Sequence, residues 1–135
     1  VVDDADRRQV IVTAARRIGV LGPMILKLPV PGPGACGPVT EAAGSRPWVL
    51  LSWGVTYEEF AAQLCEAMAA GCSGFAVGRA LWREAVDPAG RASFLAGTFQ
   101  DRLAELIELV ESSSTADASV GPSPAPSGGA SAPHA

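Results

Sequence analysis

Three short apolar segments recur along this chain at an almost constant pitch, and that spacing limits the fold more than any single motif. Lys27 in "MILKLPV" lies 25 positions before Ser52 in "RPWVLLSWG", and Ser52 lies 26 before Gly78 in "GFAVG". Helical signals separate the segments. From Asp4 to about Ile18, the residues Val10, Ile11, Ala14, Ala15 and Ile18 recur at spacings of three and four, as an amphipathic helix requires. Thr56 with Glu59 three residues on forms a capping box, opening a helix through "YEEFAAQLCEAMAA" that ends at Gly71. Its residues Phe60, Leu64 and Ala67 or Met68 are expected to face a sheet. Alternating strands and helices imply βα units around a parallel sheet. The fold class read from the sequence is therefore α/β.

The remaining segments are assigned by the same rules. "MILKLPV" is a continuous apolar run bounded by turn residues, the pattern of a strand buried on both faces. "PGPGACGP", Pro31 to Pro38, reads as loop, followed by a brief helix from Val39 to Ala43. "RALWREAV" supplies one or two helical turns. One longer amphipathic helix then carries Phe94 or Leu95, Phe99, Leu103, Leu106, Ile107 and Val110. Residues 1–111 form the ordered part, and residues 112–135, rich in Ser, Pro, Gly and Ala, read as a disordered tail.

Composition removes several functions. A formal charge of −4 argues against nucleic-acid binding, which calls for clustered Lys and Arg on one face. The pairs Arg7-Arg8 and Arg16-Arg17 read as a solvated helix face. Cys36, Cys65 and Cys72 are odd in number and make no C-x-x-C pair, so neither a zinc site nor a disulfide framework is expected. A cytoplasmic protein with no metal, no cofactor and no membrane partner fits best. No apolar run approaches the roughly 18–20 residues of a membrane span.

The candidate chemistry sits at the expected carboxyl ends of the strands, where α/β folds gather their sites. Lys27 is the only lysine beside nine arginines, and it stands in an apolar run. A desolvated amine loses its proton more readily and becomes a nucleophile, whereas a lysine at a strand end can also simply reach out to water. Ser52 can bond an anion or satisfy nearby backbone. Gly54 permits a tight turn. Gly78 and Arg79 open a short helix, where free N–H groups and a guanidinium attract an anion; a surface ion pair from Arg79 to Glu84 or Asp87 is the other reading. His134 lies in the tail and is expected to be chemically idle.

"RPWVLLSWGVTYEEFAAQLCEAMAAGCSGFAVGRALWREAV" resembles the class I aldolase family of tagatose-bisphosphate aldolase and its sulfofructosephosphate aldolase relatives. The matching residues are Leu51, Ser52, Gly54 and Val55 for the family's L-S-x-G-V, then Gly78, Arg79, Ala80 and Trp82 for its G-R-A-x-W. "ILKLPVPG" is similar to the family's sixth strand. The resemblance implies a (β/α)8 TIM barrel, of which the chain supplies strands six to eight as a C-terminal portion, since a whole barrel takes about 250 residues. It implies a catalytic Schiff-base lysine at Lys27 and phosphate binding by Ser52, Gly54, Gly78 and Arg79. The substrate implied is a phosphorylated ketose. The family's general acid/base, on an earlier strand, has no counterpart here. A missing N-terminal half or a homo-oligomer would complete the barrel; a non-catalytic sugar-phosphate binder and an aldolase for sulfofructose phosphate are the alternatives. Trp53 fills a motif position that is often small or charged in the family.

Overall fold

The computed structural model of the chain describes residues 3–22 and 24–118. Helix α1 spans Asp4–Gly19, with Asp3 accepting from the Ala5 amide as N-cap. Strand β1, Leu26–Pro29, leads to helix α2, Cys36–Ala43, and strand β2, Trp48–Leu51. Helix α3, Tyr57–Ala69, precedes strand β3, Phe75–Ala76. Two short helices, α4 (Arg79–Trp82) and α5 (Arg91–Ala96), flank a 3-10 turn at Arg83–Val86, and helix α6 closes the described part at Thr98–Ala118.

The three strands are parallel and lie in the order β1-β2-β3. Parallel crossovers are right-handed in about 98% of cases, so strands laid down in sequence order put their connecting helices on one face of the sheet. The buried cluster agrees. Ile11 and Ala15 of α1, Val39 and Ala43 of α2, and Phe60, Leu64, Ala67 and Met68 of α3 pack with Leu26, Leu28, Trp48 and Leu50. Phe75 meets Phe60 edge-on at 6.3 Å between ring centroids. The register pairs Lys27 with Val49, Pro29 with Leu51 and Leu51 with Ala76, so these side chains share the opposite face. None of the five is buried. Among the described residues the domain is thus a two-layer α/β arrangement whose second sheet face is not buried.

Several sequence expectations change. "MILKLPV" is not buried on both faces: Leu26 and Leu28 are buried, while Lys27 is exposed between them. Apolar composition alone does not report which face is covered. Helix α2 begins at Cys36, inside the segment expected to be loop, because Pro38 falls in its first turn, where a missing N–H costs nothing. That loop is also pinned, since the Gly34 amide donates to Glu66 Oε1 at 2.7 Å and Arg8 Nη2 to the Pro33 carbonyl at 2.9 Å. Val10 and Ile18 point outward and are 62% and 44% exposed. The single C-terminal helix is two, broken at Gly97 (φ −120°, ψ −94°), a conformation outside the helical region. Helix α6 runs through residues 112–118, which the tail was expected to contain; residues 119–135, His134 among them, lie outside the described part. The capping box forms as expected, with the Glu59 amide donating to Thr56 Oγ1 at 3.2 Å and the Thr56 amide to Glu59 Oε2 at 2.9 Å.

Candidate functional site

A cavity of about 740 Å³ opens at the carboxyl ends of the three strands, within the roughly 300–1,000 Å³ range of small-molecule sites. Pro29, Leu51 and Ala76 form its floor at the level where the strands end. Ser52, Trp53 and Gly54 come from the loop after β2, and Val77, Gly78, Arg79 and Trp82 from the loop after β3 and α4. Four of the five site residues expected from the sequence therefore meet in one place. Lys27 is the exception. It pairs with Val49, one side-chain layer below Pro29 and Leu51, and does not line the cavity. It lies on the same open face, yet the described residues leave it exposed and supply none of the enclosure expected around its amine.

The loop after β2 is a tight turn. Val55 N–H donates to the Ser52 carbonyl at 3.1 Å, and both central residues have positive φ, +38° at Trp53 and +82° at Gly54. Glycine suits the second position. A Cβ there would stand 3.5 Å from Arg79 Nη2, in contact with the guanidinium. Trp53 is the only described non-glycine residue with positive φ, at a cost of about 1–2 kcal/mol for an L-residue. Two arginines grip the turn: Arg83 Nη2 donates to the Gly54 carbonyl at 2.7 Å, and Arg7 of α1 places its guanidinium carbon 5.2 Å from the Trp53 ring centroid.

Ser52 is buried, and its Oγ accepts from the Gly78 amide at 3.4 Å, tying the β2 loop to the β3 loop. Of the two readings of Ser52, backbone satisfaction is visible; the hydroxyl retains its own proton to donate. Arg79 resolves more sharply. Glu84 is taken by Arg102 at 2.9 Å, Asp87 accepts from the Ala89 amide, and the Arg79 side chain makes no ion pair or hydrogen bond among the described residues. The ion-pair reading of Arg79 fails. A guanidinium without a counter-charge faces a cavity bordered by glycine backbone and a serine hydroxyl. Helix α4 is only four residues long, so the helix dipole expected to assist is weak.

The second arginine cluster is structural, and no sequence motif points to it. Arg102 stacks on Tyr57 at 4.6 Å and on Phe94 at 5.8 Å, bonds Glu84 and reaches Glu58 at 3.8 Å. It joins α6 to α3 and to the 3-10 turn. Beside it the Tyr57 hydroxyl donates to Glu105; burial, then this carboxylate, raises its pKa, so it stays protonated. The partners of Arg102 lie 8 to 45 residues away in sequence, and no local pattern marks them.

The two buried cysteines, Cys36 and Cys72, are held as thiols. Burial first, and then the Glu66 charge, push the Cys36 thiol up to about 11, and burial raises Cys72, whose Sγ also donates to the Gly74 carbonyl at 3.1 Å. A raised pKa keeps both as thiols at neutral pH. Iodoacetamide should therefore label Cys65, the exposed one, in the folded chain, with Cys36 and Cys72 reacting only after denaturation; mass spectrometry of the labelled peptides checks this. No described group of three His, Cys, Asp or Glu is placed to hold a metal ion, and no described helix is long and apolar enough to cross a membrane. No known protein-family model matches the sequence.

Proposed function

We propose that this chain binds a phosphorylated ketose at the carboxyl ends of its strands, and that it is the C-terminal portion of a class I aldolase barrel. The observation that carries the reading is Arg79: a guanidinium with no partner among the described residues, on a cavity it shares with Ser52, Gly54 and Gly78. A phosphate there accepts two parallel N–H bonds from the planar fork. The Ser52 hydroxyl and loop amides complete the anion's shell. The open sheet face supports the barrel half of the proposal. Strands in sequence order with helices on one side are an arc of a (β/α)8 barrel, and the uncovered face is then its lumen.

In that setting Lys27 points into the lumen, one layer beneath the phosphate site. Its Nζ attacks the ketose carbonyl carbon, water leaves, and the C=N bond of a protonated imine forms. Cleavage of the carbon–carbon bond sends its electron pair into the imine as an enamine, while the hydroxyl proton passes to a base. No described carboxylate occupies the open sheet face, so that base and the enclosure of Lys27 both belong to the strands that would close the barrel. Borohydride added with dihydroxyacetone phosphate should fix the imine as a stable adduct on Lys27, which peptide mass spectrometry identifies without ambiguity because the chain has one lysine. Absence of an adduct in the closed barrel, or equal labelling by dihydroxyacetone without phosphate, would remove the aldolase assignment.

The exposure of Lys27 favours a second reading. A sugar-phosphate binder that performs no chemistry needs the Arg79 cavity and leaves the amine in water. Phosphate-dependent binding without a trapped adduct distinguishes it.

A further inference from the structure

Trp53 is unexplained by the turn it occupies and by the core. Turns with positive φ at both central positions favour Asn, Asp or Gly at the first of them, and a bulky aromatic there works against the backbone. Nor is the side chain repaid by burial, for it is 66% exposed. What it does have is a position on the cavity and a clamp: its ring lines the site, and Arg7, 46 residues earlier on α1, lies 5.2 Å from its centroid. Backbone outliers of this kind cluster at ligand sites, and this one lies on the cavity wall. A second tryptophan, Trp82, is 42% exposed and lines the same cavity. Beyond Ser52, Arg79 and the backbone, the lining is apolar or aromatic.

We propose that Trp53 is a specificity-determining platform: the carbon chain of the ligand lies with its C–H face on the indole while the anionic end reaches Arg79. Arg7 is a positioning residue that holds the ring in place through its guanidinium. The ligand class follows from this division of surfaces. It is an anion with an extended carbon skeleton, and inorganic phosphate, which has no such skeleton, gains nothing from Trp53. The inference rests on the proposed anion site for the placement of the charged end alone.

The test is calorimetric titration of the full chain with fructose 1,6-bisphosphate and with inorganic phosphate, joined to thermal melts. Trp53→Asn should weaken fructose 1,6-bisphosphate roughly five- to tenfold, the scale of a single aromatic contact. It should leave phosphate affinity unchanged. Its melting temperature should be equal to or above that of the wild type, because Asn suits the turn. Trp53→Phe should retain most of the affinity. Arg7→Met should lose part of it, and Arg7→Lys should restore it, since an ammonium also binds an aromatic face. A lower melting temperature with unchanged affinity in Trp53→Asn would make Trp53 structural and overturn the platform. If Arg79→Ala leaves both ligands unaffected while Trp53→Asn weakens the bisphosphate, the platform stands and the anion site is wrong. If the wild-type chain binds neither ligand, both fall.

Discussion

Trp48→Ala should destabilise the chain by about 3–5 kcal/mol, the range for removing a large aromatic from a packed core. Trp48 is 1% exposed at the start of β2 and stands among Leu26, Leu50 and α2 in the core cluster. Its indole Nε1 donates to Thr40 Oγ1 at 3.0 Å, and Thr40 in turn donates to the Ala70 carbonyl at 2.6 Å. One side chain thus links β2, α2 and the end of α3. Its backbone carbonyl also accepts the Ser73 amide at 2.8 Å, so the strand position itself is fixed independently of the ring. A domain of this size is held by roughly 5–15 kcal/mol, and the loss takes a large share of it. Trp48→Phe keeps most of the volume and should cost clearly less, with the remainder owed to the missing indole donor. Urea denaturation followed by circular dichroism measures both. A change under about 1 kcal/mol in Trp48→Ala would mean that the helices do not pack on this sheet face as described.

Arg79→Ala should lower affinity for a phosphorylated ketose roughly 10- to 150-fold, the equivalent of about 1.5–3 kcal/mol for a hydrogen-bonded contact to a charged group. The full effect is expected because no carboxylate in the described residues shares this guanidinium, so its removal frees no competing charge. Arg79→Lys should recover only part of the loss, since an ammonium supplies charge without the planar fork. Stability should change little: Arg79 is exposed and its side chain bonds nothing among the described residues. Arg102→Ala makes the contrasting control. There a stacked, ion-paired arginine joins three elements, and its loss should destabilise the domain with no selective effect on phosphate.

The elements legible in the sequence are those set by local chemistry. Thr56 and Glu59 are three residues apart and bond one another, so the start of α3 is written in four consecutive positions. Alternating strands and helices imply parallel βα units, and the rule that sites gather at strand ends points to Lys27, Ser52 and the Gly78-Arg79 pair, of which all but Lys27 line the cavity. What the sequence did not disclose depends on distant surfaces. Lys27 was expected to be enclosed because its neighbours in the chain are apolar, yet in a strand those neighbours face the other way. A period of two makes one residue's difference the whole difference between core and solvent. Trp53 reads in the sequence only as a motif variant, and its φ of +38° and the approach of Arg7 from α1 depend on the fold. Arg102 had no local signal at all.

The most direct measurement is a paired calorimetric titration of the wild-type chain and Arg79→Ala with fructose 1,6-bisphosphate and with fructose. The account predicts that the wild type binds the bisphosphate and far more weakly the free sugar, and that Arg79→Ala removes most of this difference while leaving the response to fructose as it was. Equal affinity for the two ligands in the wild type, or equal losses for both in Arg79→Ala, would contradict it, and would mean that the cavity at the strand ends is not an anion site.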